Sequence, residues 1–397
     1  MKLLIVIVNY RSAQLTLDCL DSLDAEMAAL PDAQVVVTDN RSPDDSVTRL
    51  LAEGRGKLSP SPGTPGEGRG EGDFECKAAL DIPNPPHPNP LPESRERGSE
   101  RPWLTIMPLP ENGGFAYGNN AAIAAALGLE TLRRDKGLRP VLTASAIKDT
   151  STPNPTSMGQ RPGSQGANKP DFILLLNPDT IVRPGAIQAL LDFMIANPKA
   201  GIAGSRLEDP DGTPQRSAFR FHSIAGELER GMRMGFVTKL LANKMIAPPQ
   251  RDETYECDWV AGASMMVRRE VFESAGLMDE KYFMYFEEVD FCLAAKRKGW
   301  SCWYVPASRV VHLVGAVSQL SDARKHRMRR PAYWFESRRR YFVKNHGWLY
   351  AALADLAYIA AHALWRLRRF VQRKEDTDPP KLLTDSVFHS VFFRNAE

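Results

Sequence analysis

The sequence predicts an α/β fold with a mostly parallel central sheet flanked by helices, and three observations carry that expectation. The chain opens on an unbroken aliphatic run, Leu3 to Val8, of the kind that fills a strand covered on both faces. Comparable runs recur at Val35–Val37 and Phe172–Leu176. Between them lie segments whose apolar residues repeat at helical spacing, so strand and helix alternate along the chain.

Taken in order, Ser12 stands where it can cap a helix with apolar positions Leu15, Cys19, Leu20 and Leu23. A strand near Leu104–Met107 and a helix from about Asn119 to Leu132 follow. Beyond Leu176, Pro184 suits the first turn of a helix striped by Ile187, Leu190, Leu191 and Met194, which Asn197-Pro198 stops before a strand at Gly201–Ala203. The later part reads as a strand-like Trp259–Val267, a short helix at Arg269–Ala275, a helix from Glu287 to Lys298 ended by Gly299, and strands at Trp303–Val305 and Val310–Leu313. Two polar stretches interrupt this rhythm. Residues 54–102 hold ten prolines and eight glycines, too little apolar surface to offset ordering entropy, and read as a low-complexity insert expected to be disordered. Residues 133–169 read as a second insert.

Apolar residues at 43% and charged residues at 25% are ordinary for a soluble globular protein and exclude wholesale disorder and a polytopic membrane protein. A formal charge of +3 is too small to argue for a nucleic-acid partner, but the cations gather late in the chain. They run through Arg324, Lys325, Arg327, Arg329 and Arg330, then Arg338–Arg340, then Arg366, Arg368, Arg369, Arg373 and Lys374. Five cysteines without CxxC spacing point to a reducing compartment, and Met1–Val8 is too short for a signal-peptide core, so a cytoplasmic location is expected. Gly347–Trp365 is mostly apolar but carries Asp355 and His362, which argues against a full span. Two readings stay open: an amphipathic helix in peripheral contact with the inner face of the cytoplasmic membrane, or a helix packed on the catalytic domain with a solvated basic face.

Four constellations carry chemistry. Asn177-Pro178-Asp179 places a carboxylate at the carboxyl end of a buried strand, where open α/β sheets bind ligands and where it could hold a hard divalent cation; alone, it could equally be a turn. Glu287-Glu288-Val289-Asp290, preceded by Tyr282, Phe283, Tyr285 and Phe286, offers a carboxylate in an aromatic setting suited to a general base; the plainer alternative is an acidic helix start. His312 ends an apolar strand as a second candidate metal ligand or a satisfied core histidine. Glu111–Asn120, rich in glycine and asparagine, leads into a helix and could receive an anionic group, without Rossmann or Walker spacing.

In sequence, Val6–Tyr10, Val37–Ser42, Asn112–Phe115, Leu175–Asp179, Trp259–Ala263 and Tyr285–Asp290 resemble glycosyltransferase family 2, most closely its rhamnosyltransferase-like branch. The resemblance covers roughly residues 1–53, 103–132 and 171–345. It implies a GT-A type nucleotide-diphospho-sugar transferase fold over 1–345, interrupted by the inserts, with a C-terminal amphipathic helix and tail at 346–397. It further implies an inverting, metal-dependent transfer of a sugar, rhamnose among the candidates, from a dTDP- or UDP-linked donor to a saccharide or polyprenyl-linked acceptor in cell-surface polysaccharide synthesis. Val8, Asn9, Tyr10, Asp39, Asn40, Asn112, Gly114, Asn119 and Asn177 would bind the nucleotide, and Asp179 with His312 would hold Mg or Mn. Trp259, Gly262 and Glu287 would lie by the acceptor, with Glu288 as the base and Asp290 as the substitute. Asn177 replaces the first acidic residue of the family's metal motif, and Glu288 replaces an aspartate. A catalytically disabled sugar-nucleotide binder and a nucleotidyltransferase are the alternative readings. The latter lacks its glycine-rich basic loop after the first strand, where Asn9-Tyr10-Arg11-Ser12 stands.

Overall fold

The computed structural model describes residues 1–58, 100–129, 169–313 and 328–394. Its first strand, β1 (Leu3–Asn9), lies between β2 (Ala33–Asp39) and β5 (Phe172–Leu176), parallel to both. On one side β4 (Leu104–Pro108) and the two-residue β3 (Lys57–Leu58) extend the parallel half. On the other, β11 (Ser264–Arg268) runs antiparallel between β5 and β7 (Ala200–Glu208), and β12 (Ser301–His312) returns parallel to β7. Two short antiparallel strands, β6 (Thr180–Val182) and β9 (Tyr255–Cys257), pair with β12. The order across the described sheet is β3-β4-β2-β1-β5-β11-β7-β12-β6. The expected α/β architecture with a mostly parallel central sheet is therefore present.

Alternation along β1 divides the core into two layers. Leu3, Ile5 and Ile7 pack with α1 (Ala13–Ala29) and α4 (Ala186–Ala196), while Leu4 and Val6 pack with α3 (Gly114–Leu127), α7 (Arg269–Ala275) and α8 (Glu287–Arg297). Several boundaries differ from those read in the sequence. Helix α3 starts at Gly114, five residues early, because Gly114 takes φ +86° against Phe283, whose carbonyl oxygen would lie 1.9 Å from a Cβ there. Helix α4 begins after Pro184 and is capped from outside, the Glu26 carboxylate accepting the amides of Gly185 and Ile187. The two strands expected at 303–305 and 310–313 are one, β12, with a register shift between Val305 and Arg309. Trp259–Val267 divides into β10 (Trp259–Val260) and β11, and β10 pairs with β8 (Ala218–Phe219). Strand β3 falls inside the first expected insert; the rest of both inserts, apart from residues 54–58, 100–102 and 169, lies outside the described residues.

The C-terminal helices pack on the β8–β10 side. Helices α5 (Ile224–Met232) and α10 (Trp348–Val371) cross at Gly231, where a Cβ would sit 2.8 Å from the Tyr358 carbonyl oxygen and 2.9 Å from Ala361. Helix α9 (Ala332–His346) supplies Arg338, buried between them. Its guanidinium pairs with Glu227 of α5 at 2.9 Å and with Asp355 of α10. Glu227 also takes Arg230 at 2.6 Å and His222 at 2.9 Å. Burial works against the Glu227 charge, but Arg230 and Arg338 outweigh it and hold the carboxyl well below its ordinary value.

Helix α10 thus buries Ala351, Ala352, Ala354 and Ala361 together with Asp355, Tyr358, His362 and Trp365, and turns its large aliphatic side outward. Leu349, Leu353, Leu356, Leu364, Leu367 and Phe370 are exposed along the opposite face, Phe370 by 79%. No helix of the described residues is long and apolar enough to cross a membrane.

Removing one partner of a buried charge network costs about 3–5 kcal/mol. Arg338→Met should destabilise the chain by roughly that amount in urea unfolding, because Asp355 keeps only the Val391 amide. A loss within the scatter of surface substitutions would show that the network is not needed for stability.

Candidate active site

The parallel strands β1 and β2 end side by side at Asn9 and Asp39. Asn9 is fully buried and internally satisfied. Its amide nitrogen donates to Asp39 at 2.6 Å, and its oxygen accepts from Ser12 and Thr16, each at 2.9 Å. Asp39 also accepts the amide and hydroxyl of Ser42, at 2.8 and 2.7 Å. Arg11 and Arg41 then take left-handed backbone conformations, φ 53° and 55°, so both strands turn sharply and leave Tyr10 exposed. Asn9 therefore holds Asp39 and the helix start in place, and Tyr10 supplies the accessible surface.

Helix α3 closes against this corner. A Cβ at Gly118 would come within 2.6 Å of Val8 and 3.2 Å of the Asn40 side-chain oxygen. Asn40 donates to the Gly114 carbonyl at 2.9 Å and Asn119 to the Phe115 carbonyl at 3.0 Å, while the Asn112 side chain accepts the Gly114 amide at 3.2 Å. The side-chain oxygens of Asn40 and Asn119 are both buried with no hydrogen-bond partner, an arrangement that costs free energy unless a donor fills it.

Past β5, the Asn177 amide donates to the Ala263 carbonyl at 3.0 Å, which ties the Asn177–Asp179 turn to the segment before β11. Strand β6 then pairs with the end of β12, His312 opposite Thr180, and the Leu313 amide bonds the Asp179 carbonyl at 2.9 Å. This brings the Asp179 carboxylate to 3.5 Å from His312 Nε2. Asp179 is 5% exposed, and its Oδ1 has no hydrogen-bond partner. Among the described residues no group of three His, Cys, Asp or Glu is placed to hold a metal, so this pair would leave most of a cation's coordination to a ligand and water. A buried, orphaned carboxylate oxygen beside an imidazole nitrogen nonetheless suits such an ion.

The acidic cluster is delivered by strain. Tyr285 and Phe286 both lie at φ 69° immediately before α8, a conformation that costs bulky L-residues of order 1–3 kcal/mol each. Glu287 and Glu288 follow in the first turn of the helix, each with its Oε2 buried and unpartnered. Burial raises both carboxyls, Glu287 further through the neighbouring Glu288 charge, and Glu288 is pushed up to about 7. Gly262 faces this point: a Cβ there would lie 3.3 Å from the Phe115 ring and 3.9 Å from Glu288 Cβ, so a side chain would crowd the Phe115 ring.

The other two predicted residues of this region are engaged elsewhere. Asp290 accepts from Lys344 and from Asn345 at 2.7 Å, with the Tyr282 hydroxyl at 3.4 Å. Lys344 is shared with Asp279, whose carboxyl burial would raise but which Lys344 and Arg340 hold down at about 2. Trp259 stacks on Phe219 at 4.1 Å and donates its indole N–H to the Arg220 carbonyl, serving as a wall. Phe115 and Phe283, read from the sequence only as members of the Asn112–Phe115 motif and of the aromatic run before Glu287, are the residues against which Gly262 and Gly114 seat.

In the folded chain the Glu287–Glu288 pair binds protons more tightly than in the unfolded chain, so stability is lost as pH rises from the ordinary glutamate value of 4.5 through about 7. Glu288→Gln should therefore melt close to wild type at pH 5 and above it at pH 8. An equal or lower melting temperature at pH 8 would show that the pair is not desolvated.

Comparison with known proteins completes the picture. The family described as Glycosyltransferase like family 2 matches residues 143–333. Through these residues the chain is similar to glycosyltransferase family 2. The N-acetylglucosaminyl-diphospho-decaprenol L-rhamnosyltransferase of Mycobacterium tuberculosis is 34% identical over 147 residues, 36% of this chain and 47% of that protein. Rhamnosyltransferase WbbL of Escherichia coli is 27% identical over 145 residues, 36% of this chain and 52% of that protein. The chain thus spans about half the length of the curated relatives it matches. Among solved structures, GalNAc-T7 with UDP, GalNAc and Mn2+ aligns over 98% of this chain and 54% of that one, with 12% identity and a TM-score of 0.48.

Proposed function

We propose that this protein is an inverting glycosyltransferase that moves a sugar, rhamnose first among the candidates, from a dTDP- or UDP-linked donor to a hydroxyl of a saccharide or polyprenyl-linked acceptor in cell-surface polysaccharide synthesis. The observation that carries this reading is the Glu287–Glu288 pair, each with a buried, unpartnered Oε2, with Glu288 facing Gly262 on a segment tied through Ala263 to the Asn177–Asp179 turn. On this reading the segment joins the base end of the site to the leaving-group end. The named activities of the rhamnosyltransferase relatives support the choice of sugar and the lipid-linked acceptor.

On this reading the catalytic domain spans residues 1–345, and 346–397 form the C-terminal helix and tail. The Val8–Tyr10, Asp39–Asn40 and Asn112–Asn119 corner, with Asn177, receives the nucleoside, whose donors would satisfy the Asn40 and Asn119 oxygens. Asp179 and His312 would hold Mg or Mn, which when bound neutralises the diphosphate and stabilises it as a leaving group. Glu288 accepts the proton of the acceptor hydroxyl, whose oxygen bonds the anomeric carbon as the bond to the diphosphate breaks on the opposite face, so configuration inverts. A carboxyl raised to about 7 is matched to this task near neutrality. Glu287, on this reading, lines the acceptor side, and Asp290 positions α8 through Lys344 and Asn345. The enzyme works in the cytoplasm in peripheral contact with the inner face of the membrane. The exposed leucines and Phe370 of α10 and the arginines of its last turns support that placement.

Loss of a general base costs typically 10²–10⁴ in rate. Glu288→Gln should lower kcat by roughly that factor while calorimetric affinity for UDP or dTDP changes less than about twofold. Retained turnover in Glu288→Gln would remove the proposed base. In the same titration Asp179→Asn should abolish the dependence of nucleotide affinity on Mg or Mn; an unchanged metal dependence would move the cation site elsewhere.

A further inference from the structure

Arg330 begins the approach to α9, and its guanidinium lies over the Trp334 ring at 4.2 Å. Arg230 of α5 lies over the same ring at 5.6 Å, so two like charges share one indole. The carboxylates nearby are already engaged. Glu227 serves Arg230, Arg338 and His222; Asp355 serves Arg338; and Asp378 serves Arg233 and His362, each at 2.8 Å. Among the described residues Arg330 makes no hydrogen bond and no ion pair, and the Nε of Arg230 is buried without a partner. Burial lowers the Arg330 guanidinium, and repulsion from Arg230 lowers it further. Charge left in this state calls for an anion.

The position relates this pair to the proposed chemistry. Trp334 meets Phe286 edge-on at 5.9 Å, and Phe286 immediately precedes Glu287 and Glu288. One aromatic layer therefore separates the arginines from the candidate base. On the other side Arg230 lies 4.4 Å over Tyr358 of α10, the helix whose far face exposes the leucine stripe. An anion held here would sit between the catalytic carboxylates and an apolar surface.

We infer that Arg330, with Arg230 beside it on Trp334, binds the diphosphate of a lipid-linked acceptor, the guanidinium forks meeting phosphate oxygens. The assignment rests on the proposed transferase reading for its acceptor, and deepens it by naming where the acceptor's charge is held. The ligand chemistry is an organic diphosphate, which the nucleotide donor also carries, so the experiment separates the two sources.

The test titrates the purified full chain with farnesyl diphosphate, farnesol, and UDP or dTDP with Mg, in wild type, Arg330→Gln and Arg330→Lys. Wild type should bind farnesyl diphosphate well above farnesol. Arg330→Gln should weaken farnesyl diphosphate at least about tenfold, the loss of a charge-assisted hydrogen bond, with nucleotide affinity unchanged and Arg330→Lys intermediate. Because Arg330 pairs with no carboxylate among the described residues, the variants should melt with wild type, and this is checked first; loss of folding in both would itself overturn the assignment by making Arg330 structural. Unchanged farnesyl diphosphate affinity in Arg330→Gln, or equal binding of farnesol by wild type, overturns it too. A matching loss of nucleotide affinity overturns it in favour of the donor. If wild type binds no nucleotide at all, the transferase reading fails, while the farnesyl diphosphate comparison still decides the anion site.

Discussion

Arg338 is the group on which the C-terminal half of the structure depends. A guanidinium taken out of water is costly by several kcal/mol unless its hydrogen-bonding capacity is met, and here α5 and α10 supply the matching carboxylates, Glu227 and Asp355. None of the three helices can be withdrawn without stranding a charge, so they pack together. The arrangement also decides which way α10 faces: Asp355 and His362 must point inward to their partners, which forces the leucines outward. Against the same network lie His222, Phe286, Trp334 and Tyr341, the aromatic layer on which α8 begins. The strained backbone at Tyr285 and Phe286 is held by that layer.

The two halves of the sheet contribute different things. At the parallel half Asn9, Asp39, Ser12, Thr16 and Ser42 satisfy one another and fix a rigid corner, beside which only the Asn40 and Asn119 oxygens are left over among the corner residues described above. The half containing the antiparallel strand β11 presents groups left short of partners: Asp179 Oδ1 and the Oε2 atoms of Glu287 and Glu288. Rigidity and unmet bonding are complementary, since a site that must act on a ligand needs a frame that spends none of its own polar groups on rearrangement. Left-handed residues stand beside both groups, at Arg11 and Arg41 and at Tyr285 and Phe286, where the chain turns abruptly out of regular structure.

Much of this was legible in the sequence, because buried parallel strands are continuous aliphatic runs and Phe172–Leu176 or Leu3–Val8 can hardly be anything else. The candidate residues at strand ends were legible for the same reason, since the end of a buried run is where polar groups first reach a cleft. The C-terminal half was harder. Residues 204–256 gave no element, although α5 and α6 (Gly235–Leu240) lie there, since α5 is short and its charged Glu227 is buried. The arginines at 329–340 read only as part of a basic cluster late in the chain, yet Arg338 is interior. Whether a charge is buried depends on partners far along the chain, and a local pattern cannot report them. Asp290 shows the same limit, as its engagement with Lys344 and Asn345 is a tertiary fact.

The pairing of β6 with the end of β12 has a consequence for the order in which the protein is made. Asp179 emerges from the ribosome long before His312, and the two meet only when β12, the closing strand, has crossed beside β7 and turned onto β6. Contacts between distant segments form late, because loop-closure entropy must be met first. A nascent chain can therefore bring Asn9 and Asp39 together at the ends of β1 and β2 while the Asp179–His312 pair is still apart. A chain interrupted before β12 would keep the Asn9–Asp39 corner but leave Asp179 without the imidazole beside it.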